Sequence, residues 1–315
     1  MKRLAALLRD ATAGDPIKGT KWTRKTLREL AQKLSGKIYQ VSHETVRRLL
    51  LDLEYSLHSN RKHLSRTHDP DRDRQMRYIA RQRRAFRKAH NPVISVDTKK
   101  KELVGNFKNT GRTWRRRPLD VLATDFPSDA LGKAIPYGIY DGARNHGFVV
   151  VGTAHETAQF AVTAIRRWWW QVGRIAYPHA THLLIQADAG GANSSRSWLW
   201  KLALQEFADE FHLTITVTHY PTSASKWNLI EHCLFNFITL NWAGQPLVSY
   251  ETVLKFIRTT TTESGLHCLA YLDNREYPTR LKITREQKAS IRLKRHRVLP
   301  RWNYTIEPRQ MPRGK

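Results

Sequence analysis

Apolar positions recur every three and four residues along the first sixty positions, and then the period changes. Leu27, Leu30, Ala31 and Leu34 form one stripe of a helix, with Thr23 as its expected N-cap and Gly36 as its stop. Ser42 opens a second helix that turns Val46, Leu49, Leu50 and Leu53 inward and His43, Glu44, Arg47 and Arg48 outward. Two short helices, the second with a polar and basic outer face, are what a helix-turn-helix needs to enter a major groove. A plain helical hairpin with a solvated face would show the same spacing. From Arg61 to Lys88 apolar residues become sparse, and Asp69 with Pro70 reads as the start of a charged connecting helix.

At Pro92 the pattern turns to buried strands. Val93 to Val96 predicts a short strand ending at Asp97, followed by a basic stretch from Lys99 to Arg117. A hairpin is expected from Tyr137–Tyr140 and Phe148–Val151, turning through residues 141–145. His155 to Val172 predicts a helix carrying Phe160, Ile165, Trp168 and Trp169. Trp168, Trp169 and Trp170 cannot share one helix face, so at least two are expected in the core rather than on a base-stacking platform. Leu183 to Ile185 forms a second strand ending at Asp188. A helix through Trp200, Leu204 and Phe207 leads to a third strand, Leu213–Val217. A last long helix is expected from near Lys226, carrying Glu231. Strand, hairpin, helix, strand, helix, strand, helix is an α/β order with a mixed sheet, compatible with an RNase H-like fold. The expected organisation is a small all-α helix-turn-helix segment (1–60), a basic linker helix (61–91), the α/β domain (92–262) and a basic C-terminal extension (263–315).

Charge then narrows the partners. The 315 residues hold 54 Lys and Arg against 27 Asp and Glu, a formal net charge of +27. Such an excess calls for a polyanion, because each cation that neutralises a phosphate also releases condensed counterions. A membrane is the other polyanionic surface, but no apolar run approaches the roughly 18–20 residues of a spanning helix, and the start of the chain lacks a signal peptide's apolar stretch. Two cysteines, Cys233 and Cys268, are too few for a disulfide framework or a Cys-rich zinc site. A cytoplasmic setting, associated with DNA, is the expectation.

Acidic residues supply the candidate chemistry. Asp97 and Asp188 each end a buried strand, where a carboxylate emerges at the sheet's carboxyl edge. Glu231 stands one turn into a helix, with Asn228 on the same face. Hard oxygen ligands converging from different elements are what phosphodiester chemistry with two divalent ions requires. Aspartates also end strands simply as turn residues, so the reading rests on the three occurring together. Spacing alone leaves Asp125 and Asp141 as substitutes, although Asp141 reads better as a hairpin-turn residue and Asp125 as a loop residue.

Four segments, Pro92 to Glu102, Ile135 to Gly138, Ala187 to Asn193 and Thr222 to His232, resemble the Rhodopirellula-type DDE transposases of bacterial insertion sequences, distant relatives of mariner-like elements. The likeness runs from about Gly14 to Ile306. It departs from the family pattern at Ala189, Ala192, Leu229 and Cys233, where the family has Gly, Ser and two basic residues. The resemblance implies a metal-dependent transposase with Asp97, Asp188 and Glu231 as catalytic triad and ligands of two Mg²⁺ or Mn²⁺ ions. Lys226 and Asn228 would then position phosphate or an outer water. His43, Arg47, Arg48, Lys99, Lys100, Arg115 and Arg116 would contact DNA, namely terminal inverted repeats and target duplex, in a homo-oligomeric complex. The alternatives are an inactive or truncated remnant that only binds DNA, and a structure-specific nuclease on the same fold.

Overall fold

In the computed structural model of the chain, all residues are described except 1, 10–11, 15–20, 24, 37, 57–68, 222–223, 225–226 and 310–315, and the side chains of 9, 12–14 and 21–23. The chain divides into two compact units, residues 1–64 and 65–315.

The first unit holds α1 (Lys2–Arg9), a small antiparallel pair β1 (Thr12–Gly14) and β2 (Lys21–Thr23), α2 (Leu27–Leu34) and α3 (His43–Asp52). Thr23 belongs to β2, so it is not the cap of α2. Thr26 is, in a capping box with Glu29, because its hydroxyl accepts from Glu29 N–H while the Glu29 carboxylate accepts from Thr26 N–H. Leu30, Ala31 and Leu34 are buried as expected, and so is Val46 of α3, which Ser42 caps. The sequence reading missed α1, whose Leu4 and Leu8 complete this small core.

The second unit is built on a nine-stranded sheet. Its elements are α4 (Arg72–Lys88), β3 (Val93–Thr98), β4 (Glu102–Val104), β5 (Gly132–Asp141), β6 (His146–Gly152), α5 (Ala158–Trp168), α6 (Arg174–Ala176), β7 (His182–Ala187), α7 (Trp198–Phe211), β8 (Thr214–His219), α8 (Asn236–Asn241), α9 (Tyr250–Arg258), β9 (His267–Asp273), α10 (Arg285–Ala289), β10 (Leu293–Arg295) and β11 (Asn303–Ile306). The strand order is β10-β11-β8-β7-β3-β5-β6-β9, with β4 beside β5. The chain enters on β3, and β5 and β6 extend the sheet antiparallel on one side. After α5 it returns to lay β7 and β8 parallel to β3 on the other side. That order and those directions are the RNase H-like arrangement.

Alternation along the strands assigns the two faces. Ile94, Val96, Leu183, Ile185 and Ala187 join α5 and α7 in the larger core. Ser95, Asp97, Gln186 and Asp188 therefore face the other way, toward α4 and the Glu231 helix. Trp168 and Trp169 are buried and Trp170 is exposed, so two of the three tryptophans are core.

Several expectations change. The linker helix is part of the domain: α4 starts at Arg72, later than Asp69 and Pro70 suggested, and buries Gln75, Tyr78 and Ile79. Its Gln75 amide donates to the His219 carbonyl and to Asn303. The expected C-terminal extension supplies β9, β10 and β11 to the same sheet. The helix expected from His155 begins at Ala158, capped by Thr157, and passes into a π-helical turn, Trp169–Gly173. The long helix expected from near Lys226 runs unbroken over residues 229–241, passing through a π-helical turn, Glu231–Phe235, into α8.

Candidate active site

Asp97 and Asp188 become neighbours through strand register. β3 and β7 run parallel with Val96 opposite Ala187, so the next residue of each lies side by side, at the spacing of adjacent strands, about 4.8 Å. Both project on the face that receives the Glu231 helix. Thr98 N–H donates to Asp97 Oδ1 (2.8 Å), and the Asn228 amide donates to Asp97 Oδ2 (3.4 Å). Asn228 is wholly buried, since its amide also donates to the Val96 carbonyl (3.2 Å) and its oxygen accepts from the Ser95 hydroxyl. Asn228, expected to position phosphate or an outer water, here ties the start of the Glu231 helix to β3 and steadies Asp97.

Asp188 is steadied from behind. Its backbone carbonyl accepts from His219 Nδ1 (2.7 Å), and His219 Nε2 pairs with the Tyr304 hydroxyl (3.1 Å), which also accepts from Trp200 Nε1–H (2.8 Å). A carbonyl only accepts, so Nδ1 carries the ring hydrogen. Burial holds the imidazole pKa down at about 4, which keeps it neutral. Nε2 is then bare and accepts from Tyr304 O–H. Periodicity showed neither His219 nor Tyr304 as part of the site, because their roles depend on β8 and β11 lying side by side.

The carboxyls repel one another. Burial, with the charge of Asp188 next, raises the Asp97 pKa to about 8. Burial raises that of Asp188 to about 6 against hydrogen bonds from Asn193 and the Gly190 N–H, with Glu156 and Glu231 adding repulsion. Glu231 is also raised by burial and is countered mainly by Lys99. A cavity of about 410 Å³ is lined by both aspartates, Lys99 to Lys101, Glu156, Gly190, Gly191 and Asn193. Glu231 is not on its wall, although its charge acts on both aspartates.

Glu156 is an acid that sequence reasoning missed. It precedes α5, pairs with Lys101 at 2.9 Å and stands against Gly191. Gly191 has φ +54°, a left-handed conformation that favours glycine, and a Cβ there would make the Glu156 carboxylate shift. No local pattern marks Glu156, since only tertiary packing brings it to Asp188.

Other expected site residues separate. Asp141 pairs with Ile94 across β5, whereas Asp97 pairs with Gly138, so Asp141 lies toward the far end of the strand. It accepts from Tyr177 O–H and Ala143 N–H instead. Asp125 lies exposed in a loop. Lys99, expected on DNA, is buried at 6% exposure, paired with Glu102 (3.3 Å) and set 4.5 Å from the centre of the Trp242 ring. Lys100, Arg115 and Arg116 are exposed, as are His43, Arg47 and Arg48, with Arg47 paired to Glu44. Lys226 lies outside the described residues.

The donor set fits a hard divalent cation. Asp188 Oδ1 is buried without a hydrogen-bond partner, and neither aspartate makes an ion pair among the described residues. Two carboxylates alone face the cavity beside Glu156, while Glu231 stands back from its wall. Among the described residues, no group of three His, Cys, Asp or Glu side chains forms a ready-made metal cage.

An RNase H-like sheet with paired aspartates on adjacent strands, and a glutamate on the helix crossing their face, defines a class of protein that works on nucleic-acid backbones. The chain belongs to the family described as Rhodopirellula transposase DDE domain, whose sequence model matches residues 3–308. No curated protein matches it. Solved structures with a similar fold include a Mos1 transposase paired-end complex with left transposon end, at 14% identity and a TM-score of 0.45, covering 81% of this chain and 69% of that one. A pre-cleavage Mos1 transpososome gives 14%, 0.46, 81% and 69%. The mariner Mos1 paired end complex with Mg gives 13%, 0.44, 81% and 69%. Among the described residues, no helix is long and apolar enough to cross a membrane.

Proposed function

We propose that this chain cuts DNA at the ends of an insertion sequence and joins the freed 3′-hydroxyls to target DNA, with Asp97, Asp188 and Glu231 as the metal-holding carboxylates. The observation that carries this reading is the buried, unpartnered Asp188 Oδ1 beside Asp97, which makes no ion pair among the described residues and whose pKa burial and Asp188 raise. Two Mg²⁺ or Mn²⁺ ions held there would activate the attacking oxygen and stabilise the leaving one.

The chain's own residues provide the rest. Asn228 and Thr98 N–H fix the Asp97 carboxylate, and His219 fixes the backbone at Asp188. Half-buried Glu231 closes the set by a side-chain swing from its helix. Exposed Lys100 at the cavity rim, together with Arg115 and Arg116, holds the DNA backbone. His43, Arg47 and Arg48 of α3 read the element end. The complex forms as a homo-oligomer that brings two ends together.

The test uses a labelled duplex carrying the element's terminal inverted repeat. With Mg²⁺ the protein should nick it and covalently join it to a second plasmid DNA. Nicking without joining would favour a nuclease, and binding without nicking would favour an inactive remnant.

A further inference from the structure

Between β4 and β5 the chain makes a long excursion, residues 105–131, that starts where the lysines of the cavity rim end. Its base is fastened. Gly105 N–H donates to the Leu247 carbonyl, Leu122 N–H to the Asn106 carbonyl, and the Asn106 amide to the Asp120 carbonyl. A second clasp joins it to the turn after α8. Gly244 N–H donates to the Thr110 carbonyl (2.8 Å), the Asn109 amide donates to the Trp242 carbonyl (3.1 Å), and Gly111 rests on Ala243. Gly111 has φ +110°, and a Cβ there would come within 2.6 Å of the Ala243 methyl, so the chain turns away from the body at a glycine.

Beyond this clasp lies a tip, Arg112 to Leu119, in which every residue is exposed. It carries Arg112, Arg115, Arg116 and Arg117 and no acid, with Trp114 fully exposed among them. Among the described residues these arginines make no ion pair; Arg115 reaches only the Thr113 hydroxyl. An indole left wholly in water contributes nothing to the fold, and four arginines within six positions repel one another. Both costs are offset only when something covers the tip.

We infer that the tip of this arm binds unpaired nucleotides beside the cut site, with Trp114 stacking on a base and the arginines holding the flanking phosphates. The inference rests on the transposase reading and adds a substrate feature to it. Aromatic rings stack on bases regardless of sequence, and arginines track the backbone. In duplex DNA base faces are covered by their neighbours, so an indole meets them only where pairing is open. A cut strand supplies such nucleotides where its end frays from the duplex. The tip's charge suits a polyanion. A second copy of this chain, itself at +27, would have to offer an acidic surface to the same arginines.

Fluorescence anisotropy at fixed salt on the full chain tests this, with one duplex ended by a short single-stranded flank and the same duplex blunt. Trp114→Ala should lose about tenfold in affinity for the flanked duplex and none for the blunt one, and Trp114→Phe should retain most of it. Arg116→Gln should weaken both and lower the salt slope by about one. Because Trp114 is fully exposed, its replacement should leave the fold intact, and unchanged melting confirms this. Equal affinity of Trp114→Ala and wild type for the flanked duplex overturns the inference while leaving the transposase reading standing. A loss of self-association in sedimentation, with DNA affinity kept, also overturns it in favour of a second copy. Wild-type protein that binds neither duplex overturns both readings.

Discussion

Asp97 and Asp188 meet a conflict that a proton or a cation would relieve. Folding buries both carboxyls on adjacent strands and raises their pKa values to about 8 and about 6, against about 3.9 in an unfolded chain. The folded state therefore binds protons more tightly than the unfolded state. That contribution to stability is complete below the unfolded value and is lost as pH rises through about 6 and then about 8. A divalent ion held by Asp97 and Asp188 would replace the departing protons, so its binding would release protons and strengthen with pH. The rise in melting temperature on adding Mg²⁺ should accordingly be small near pH 5.5 and large near pH 8.5. Asp97→Asn should flatten that dependence, and a Mg²⁺ effect independent of pH would contradict the electrostatic account. These two aspartates were legible in the sequence because each follows a short apolar strand. Lys99 was misread because nothing local shows that Glu102 and Trp242 enclose its ammonium group.

The helix carrying Glu231 is set by what lies beneath it. Gly138, opposite Asp97 on β5, leaves room for Phe235 and Ile230: a Cβ at Gly138 would come within 2.6 Å of the first and 2.8 Å of the second. The π-helical turn, with Asn236 N–H donating to the Glu231 carbonyl, adds a residue to the turn just where Glu231 faces the aspartates. Gly138→Ala should therefore lift the helix, cost about 1–3 kcal/mol of stability, and reduce nicking more than DNA affinity. Adding Phe235→Leu should recover part of both. An alanine variant with full nicking would show that the close approach does not set the position of Glu231. The sequence marked a helix here by its apolar spacing. It could not show the π turn, because an extra residue in one turn leaves the i, i+3, i+4 pattern nearly unchanged. The first-unit stripe at Leu30, Ala31 and Leu34 was readable, whereas α1 was not singled out, and its Leu4 and Leu8 make sense only against α2.

Two compact units imply two separable tasks. Protein lacking residues 1–64 should lose its preference for element ends and keep salt-sensitive, sequence-independent binding from the remaining Lys and Arg. Competition with random duplex in a gel-shift titration measures this, and equal end preference in the truncated protein would move recognition into the second unit. The domain limits expected from sequence failed where charge hid burial. α4 looked like a linker because Gln75, Tyr78 and Ile79 are scattered among arginines. The last fifty residues looked like an extension because β10 and β11 are short, and β9 and β11 join the sheet only beside the distant β6 and β8. Nicking of a terminal-repeat duplex in Mg²⁺ by single-substitution variants measures most directly whether three carboxylates from two strands and a helix together support metal-dependent cutting. Asp97→Asn, Asp188→Asn and Glu231→Gln should each abolish nicking while DNA affinity stays within about twofold, and Glu231→Asp should retain a reduced rate. Nicking that survives Glu231→Gln would contradict the account and point to Glu156, the remaining acid on the cavity wall, as the group that completes the site.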